Sequence, residues 1–449
     1  MSSNNKSILT LTSHSIILIG AAIGGILFWQ IPKLPETYYN LSFLIAYIVS
    51  LIFISAPIFV AETASSFLSK KTLFANLRYL SGSERFRWFG ILIVLASILM
   101  LIFTMGNLSS FISAFVFSTH MATTQNLQHT LDNAHTYSAV ITIITSAVLI
   151  VLLLILQLRR FFIASAMILS LFGIVLFIAF FIYSIAFQNL LVALSSFFTP
   201  NFTLLSHFSL WYSAITLALF TSLIGFGAHI ALGREIKTHF SYRKLTGIYL
   251  ISSVIFAAII MILYHSYSAT SHTTQMTAHA NPFVLTSLML LFVILLNLSL
   301  STLLCQVGKV AMPYTKKATF PIRLILFVLL FLAILFYQLD FSKTALSIFS
   351  ESFIFSLVLF IAYVETLLFG WIFDAQKMHY ALYKHTQIKM SALFNISLRL
   401  IAPTAILGTL INSIVSIYLN TNYLLDIIVF VLSFVITIVL GRILYQKFK

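Results

Sequence analysis

Long apolar runs decide what this chain can fold into. They fall at about 8–31, 40–68, 88–118, 137–157, 161–188, 209–232, 245–268, 283–308, 319–338, 346–373, 391–418 and 423–441. About twenty apolar residues are what a helix needs to cross the roughly 30 Å hydrocarbon layer of a bilayer. The runs are continuous, whereas a membrane barrel would show segments of about ten residues with alternating polarity. With 60% hydrophobic and 8% charged residues, little polar surface is left to face water. The expected class is an all-α polytopic membrane protein with twelve transmembrane helices. The stretches between runs are too short for a separate catalytic domain, and they hold no nucleophile triad, P-loop or dinucleotide motif, so an enzyme is not expected.

The net charge of +15 first suggests nucleic acid, but its distribution follows the membrane instead. With the N-terminus in the cytoplasm, the inner loops carry Lys70, Lys71, Arg78, Arg85 and Arg87, then Arg159 and Arg160, then Arg234, Lys237, Arg243 and Lys244. Lys309, Lys316, Lys317 and Arg323 follow, and after them Lys377, Lys384 and Lys389. The outer loops hold only Lys33 and Lys343. This asymmetry places both termini in the cytoplasm. The basic charge is topological and touches anionic lipid, so nucleic acid is not an expected partner. The compact loops and termini point to a bacterial cell (inner) membrane. Cys305 lies alone in an apolar run and reads as a buried structural thiol.

Glycines interrupt two of the runs near their middles. Gly24 and Gly25 sit side by side in the first, where each weakens a helix by about 1 kcal/mol relative to Ala. Gly225 and Gly227 do the same in the sixth. Such glycines either let helices approach closely or free backbone to build an ion or solute site. The two interrupted runs occupy matching places in two blocks of five, residues 8–190 and 209–374, with two further runs in 391–441. Five crossings per block would insert the blocks in opposite orientation, a 5+5 inverted repeat with broken helices 1 and 6.

On these residues the chain resembles the neurotransmitter:sodium symporter family, in its bacterial leucine-transporter branch, as a divergent member. Gly20 to Pro32 is similar to the family's first-helix motif, and Ala56-Pro57-Ile58-Phe59-Val60-Ala61-Glu62 to its second-helix motif. Phe220 to Gly227 is similar to the sixth-helix motif, Leu298 to Gln306 to the eighth helix, and Glu365 with Trp371-Ile372-Phe373-Asp374 to the end of the tenth. The likeness runs through the whole chain in order and spacing.

The resemblance implies a secondary active transporter working by alternating access, a sodium-coupled symporter of an amino acid or similar small organic solute. It implies sodium and no organic cofactor. One sodium site would use the carbonyls of Gly20 and Ile23 with hydroxyls from Ser299, Ser301 and Thr302; the other reading is that these hydroxyls bond their own helix. The family's other sodium site is absent or rebuilt, because Leu27 stands where the family has Asn and the seventh run lacks an Asn. The solute would lie against Ala22, Gly24, Thr104, Phe220, Thr221, Ser222 and Phe226, with Thr104 where the family has a Tyr. At the outer gate Gln30 replaces an Arg and would face Glu351 or Ser350. Glu62 would brace the break of the sixth helix or carry a proton.

Other polar residues admit plainer readings. His14 and His229 lie on the cytoplasmic halves of the interrupted runs and either pair across an inner vestibule or are hydrogen-bonded interior residues. Arg399 is expected to snorkel to the inner face. The outer histidines lack metal-ligand spacing. Expected partners are the solute, membrane lipid and, as an option, a second copy in a homodimer. Rival readings are a proton-coupled or uncoupled amino-acid permease of the same fold, and a non-transporting receptor or scaffold built on it.

Overall fold

The computed structural model describes residues 10–121, 162–187, 197–236, 241–271, 282–311, 351–386, 392–418 and 423–448, with 144, 147–148, 151, 194–195, 328 and 332. Most of the fourth and ninth apolar runs, and the outer histidines His129, His135, His272 and His279, lie outside these residues. Among the described residues, nine helices are long and apolar enough to cross a membrane, and a tenth, Phe208–Thr221, is shorter. The chain is a multi-pass membrane protein, as the runs require.

In chain order the helices are α1 (Leu11–Lys33), α2 (Leu41–Ser69), α3 (Arg87–Met121) and α4 (Phe162–Phe187). Next come the two halves of the sixth run, α5 (Phe208–Thr221) and α6 (Ala228–Gly233). They are followed by α7 (Tyr242–Ser271), α8 (Pro282–Ala311) and α9 (Ser352–Ile372), then α10 (Ala392–Val415) and α11 (Tyr423–Phe448). Short amphipathic helices at Leu73–Ser81 and Ala375–Thr386 lie between spans. Local chemistry sets several ends: Asn40 caps α2 by accepting the Phe43 amide at 3.2 Å, and Gly82 takes φ +67° to stop the helix before it.

Helix α8 packs along both α3 and α4, and α4, α7 and α8 pack against the middle of α1. Helix α2 runs beside the whole sixth segment, touching α5 with its first half and α6 with its second. Helix α11 lies outside, with most of its side chains turned outward. Most side chains of α1, α5 and α6 are buried, as those of hydrophobic helices without a polar face must be.

The interruption expected at Gly24 and Gly25 takes another form. Helix α1 stays hydrogen-bonded throughout but widens into a π-helical stretch, Leu18–Gly24, in which the Gly25 amide donates to the Gly20 carbonyl. Gly24 and Gly25 keep ordinary right-handed helical angles. The glycines serve close packing. A Cβ on Gly20 would collide with Ser170 of α4, and one on Gly24 would come within 2.9 Å of Leu296 of α8. A π turn re-satisfies the backbone inside hydrocarbon, which an open break without partners does not.

Candidate functional site

The sixth segment is truly broken. Helix α5 ends at Thr221, α6 starts at Ala228, and the six residues between turn with positive φ at Leu223 (51°), Gly225 (82°) and Gly227 (67°). Glycine adopts such angles freely, whereas at Leu223 the conformation costs about 1–2 kcal/mol. Several of the freed backbone groups have partners, as groups away from water require. Ile224 N–H reaches back to the Leu219 carbonyl at 3.2 Å, and Gly225 N–H donates to Glu62 Oε1 at 3.3 Å. Ser97 of α3 donates to the Phe226 carbonyl at 3.2 Å. His229 of α6 folds back so that its Nε2 meets the Ser222 carbonyl.

A cluster of hydroxyls gathers against the break. Tyr47 Oη and Thr221 Oγ1 are 3.0 Å apart. Ser222 Oγ bonds Ser55 of α2 and the phenol of Tyr249 of α7, while Ser55 also donates to the Ala218 carbonyl at 2.9 Å. The ring of Phe59 stacks on Tyr249 at 5.0 Å and meets His229 edge-on at 4.6 Å. All of these side chains are shielded from solvent. This patch can offer both hydrogen-bond donors and acceptors without a fixed charge, which suits a polar solute headgroup.

An apolar wall stands on the other side. Phe220 packs on Phe226 at 5.7 Å and on Phe355 of α9 at 4.4 Å. Trp29 tilts against Phe103 of α3 at 4.6 Å and donates its indole N–H to Asn297 of α8 at 3.2 Å. The Lys33 ammonium lies 5.1 Å and 5.5 Å from the Trp29 and Phe103 ring centres.

Each residue singled out in the sequence has a definite place. Ala22, Gly24, Thr104, Phe220, Thr221, Ser222 and Phe226 are all buried, but Thr104 turns its hydroxyl to the Met100 carbonyl of its own helix at 2.5 Å. Ser301 and Thr302 likewise donate to the Asn297 and Ser299 carbonyls of their own helix, at 2.9 and 2.6 Å. Ser299 instead crosses to α4, donating to the Ala166 carbonyl at 3.0 Å and meeting Ser170 at 2.6 Å. Leu27 sits in an apolar cluster with Phe43 and Tyr47. Gln30 is buried, and Glu351 marks the first turn of the tenth apolar run. His14 and His229 are both buried. Arg399, expected to snorkel to the inner face, is partly exposed, and its guanidinium bonds Asp374 at 2.6 Å and the Gly370 carbonyl at 3.0 Å.

Tyr47, Ser55, Tyr249, Phe355 and Asn297 were not legible as site residues. Each lies far along the chain from its partner, on a helix whose facing side the apolar pattern does not reveal. Tyr47 and Ser55 are two turns apart on α2 and so share a face, the one signal that could have paired them.

The fold is shared with a solved structure, the crystal structure of MhsT in complex with L-phenylalanine. The TM-score is 0.70 with 17% sequence identity, over 91% of this chain and 99% of MhsT. Neither a family model nor a curated protein matches the chain.

Proposed function

We propose that this chain is a secondary active transporter, moving an amino acid or similar small organic solute across a cell membrane by alternating access, with sodium as the coupling ion. The observation that carries the reading is the sixth segment: a helix broken in the buried centre of the bundle, facing the π turn of α1. Irregular backbone at such depth is tolerated only where protein or a cavity surrounds it, and in transporters it marks the solute site. That MhsT shares the fold and was crystallised with L-phenylalanine supports a small amino acid as solute. The amino and carboxyl groups of such a solute would meet the hydroxyls of Thr221, Ser222 and Tyr249. Its side chain would lie against Phe220, Phe226 and Ala22. Phe220 with Phe355, and Trp29 with Phe103, would cover it from one side. The blocks 8–190 and 209–374 would move against each other as inverted repeats, with 391–441 outside them.

Sodium would sit near Gly20, Ile23, Ser299, Ser301 and Thr302. The donor set suits a hard cation: each hydroxyl gives its proton to a protein carbonyl and keeps lone pairs for the ion. Sodium there would supply positive charge that ties α1 to α8. Leu27, held among apolar side chains, supports the reading that the family's other sodium site is missing.

Purified protein gives the test. Sodium, compared with choline, is expected to raise the melting temperature, since a ligand of the folded state stabilises it by mass action. Ser301→Ala is expected to abolish that shift. Uptake into proteoliposomes that continues unchanged when choline replaces sodium would refute sodium coupling.

A further inference from the structure

Two buried carboxyls meet at the helix break. Glu62 comes from α2 and Glu365 from α9, and both are closed off from solvent. The two carboxyl groups interact with each other and with the backbone of Gly225. That amide is aimed at Glu62 Oε1, 3.3 Å away. Among the described residues no side-chain donor reaches Glu62 Oε2 or either oxygen of Glu365.

Ionised carboxylates only accept hydrogen bonds. Two of them side by side leave acceptor facing acceptor and like charge facing like charge, which disfavours ionising both. One proton resolves both problems. It turns the contact into a short, charge-assisted O–H···O⁻ bond, and a single negative charge remains for the Gly225 amide to meet. The proton would thereby tie α2, α9 and the break together.

The titratable groups on neighbouring elements are engaged elsewhere. His229 of α6 meets the Ser222 carbonyl, Tyr249 of α7 meets Ser55 and Ser222, and Arg399 of α10 is held by Asp374. Tyr363, on α9 itself, faces Thr437 of α11. Lys70, at the end of α2, donates to the Arg234 and Ile236 carbonyls, and Arg78 of the Leu73–Ser81 helix pairs with Glu84.

We infer that Glu62 and Glu365 form one proton-binding site, which holds a shared proton while the bundle is closed and gives it up when the break moves away from α2 and α9, linking solute passage to proton passage. The step is an ionisation. The proton leaves to water on the side the break then faces, and two separated, hydrated carboxylates remain. The coupling rests on the transporter reading, but on neither choice of driving ion.

Infrared spectroscopy of the purified protein tests the site independently of transport. The wild type at neutral pH is expected to show the carbonyl band of a buried protonated carboxyl, shifted in heavy water, unchanged by sodium and unchanged in Asp426→Asn. Glu62→Gln and Glu365→Gln should each remove it. Should either variant fail to fold, titration of the wild-type band answers the question, and loss of one proton's worth of intensity at alkaline pH is expected. In proteoliposomes with an internal pH dye, solute addition should drive proton movement, and Glu365→Gln should abolish it. No band, or a band that sodium abolishes, overturns the site whatever uptake shows; the second result would make it a cation site. Uptake without proton movement overturns the coupling alone. A band with no uptake of any solute overturns the transporter reading and the coupling, and leaves the proton site standing.

Discussion

Replacing Gly225 by Ala should destabilise the protein through two separable effects. The residue has φ +82°, and a Cβ there would lie 3.1 Å from the Val358 carbonyl oxygen and 3.4 Å from the Ile361 and Val358 side chains. The left-handed backbone costs an L-residue about 1–2 kcal/mol. Forcing a methyl group against the rigid carbonyl of α9 adds about 1–3 kcal/mol, the usual range for overpacking. The sum is about 2–5 kcal/mol. Two other glycines separate the terms. Gly82 has φ +67° and nothing within 4 Å of its Cβ position, so Gly82→Ala should show the backbone term alone. Gly247, inside α7, also has nothing within 4 Å, so Gly247→Ala should gain about 1 kcal/mol of helix propensity. Thermal unfolding can be followed with a thiol-reactive dye at Cys305, the one cysteine of the chain. The expected order of melting temperatures is Gly247→Ala highest, then wild type, then Gly82→Ala, then Gly225→Ala. If Gly225→Ala melts at or above Gly82→Ala, the Val358 contact does not constrain the break and the reasoning fails.

Other perturbations test other contacts. Arg399→Met removes the 2.6 Å pair with Asp374 and the bond to Gly370; because both partners are partly exposed, a loss of about 1–3 kcal/mol is expected rather than the 3–5 of a fully buried pair, read from the same melting assay. Trp29→Phe leaves Asn297 Oδ1 without its donor and should cost about 1–3 kcal/mol, whereas adding Asn297→Leu should recover part of it. Tyr249→Phe removes a hydroxyl bonded to Ser55 and Ser222; those serines keep the Ala218 carbonyl, so stability should fall by only about 1 kcal/mol while solute affinity falls more, and equal affinity would take Tyr249 out of the site. Lys70 lies outside the spans, and burial lowers its ammonium's pKa, although the Glu235 charge opposes this. The folded state therefore releases this proton first as pH rises, so stability should increase between the lowered value and the unfolded lysine value near ~10.4. A Lys70→Met protein with the same alkaline slope would refute it.

The membrane class and the helix positions were legible because they depend on local composition: a run of apolar residues must cross the bilayer wherever it finally packs. The break of the sixth segment was legible for a similar reason, since Gly225 and Gly227 permit angles other residues resist. The same reasoning misjudged α1. Gly24 and Gly25 resemble a break, yet what surrounds them, Leu296 and Leu300 of α8, needs small residues and leaves the helix hydrogen-bonded as a π turn. Glycine alone does not say whether it supplies conformation or space; its neighbours across the interface decide. Arg399 makes the same point, since a charge in an apolar run reaches for water, finds a partner or does both, and Asp374 became that partner only through the meeting of α9 and α10. The hydroxyl cluster joins Tyr47, Thr221 and Tyr249, and the carboxyl pair joins Glu62 to Glu365, residues far apart in sequence. By itself the sequence determined which segments enter the membrane and where one of them yields, because those properties are local free energies of burial and backbone conformation. Only the tertiary structure decided which polar groups meet inside, because in hydrocarbon each must find a partner and the packing of the helices alone fixes which partners are within reach.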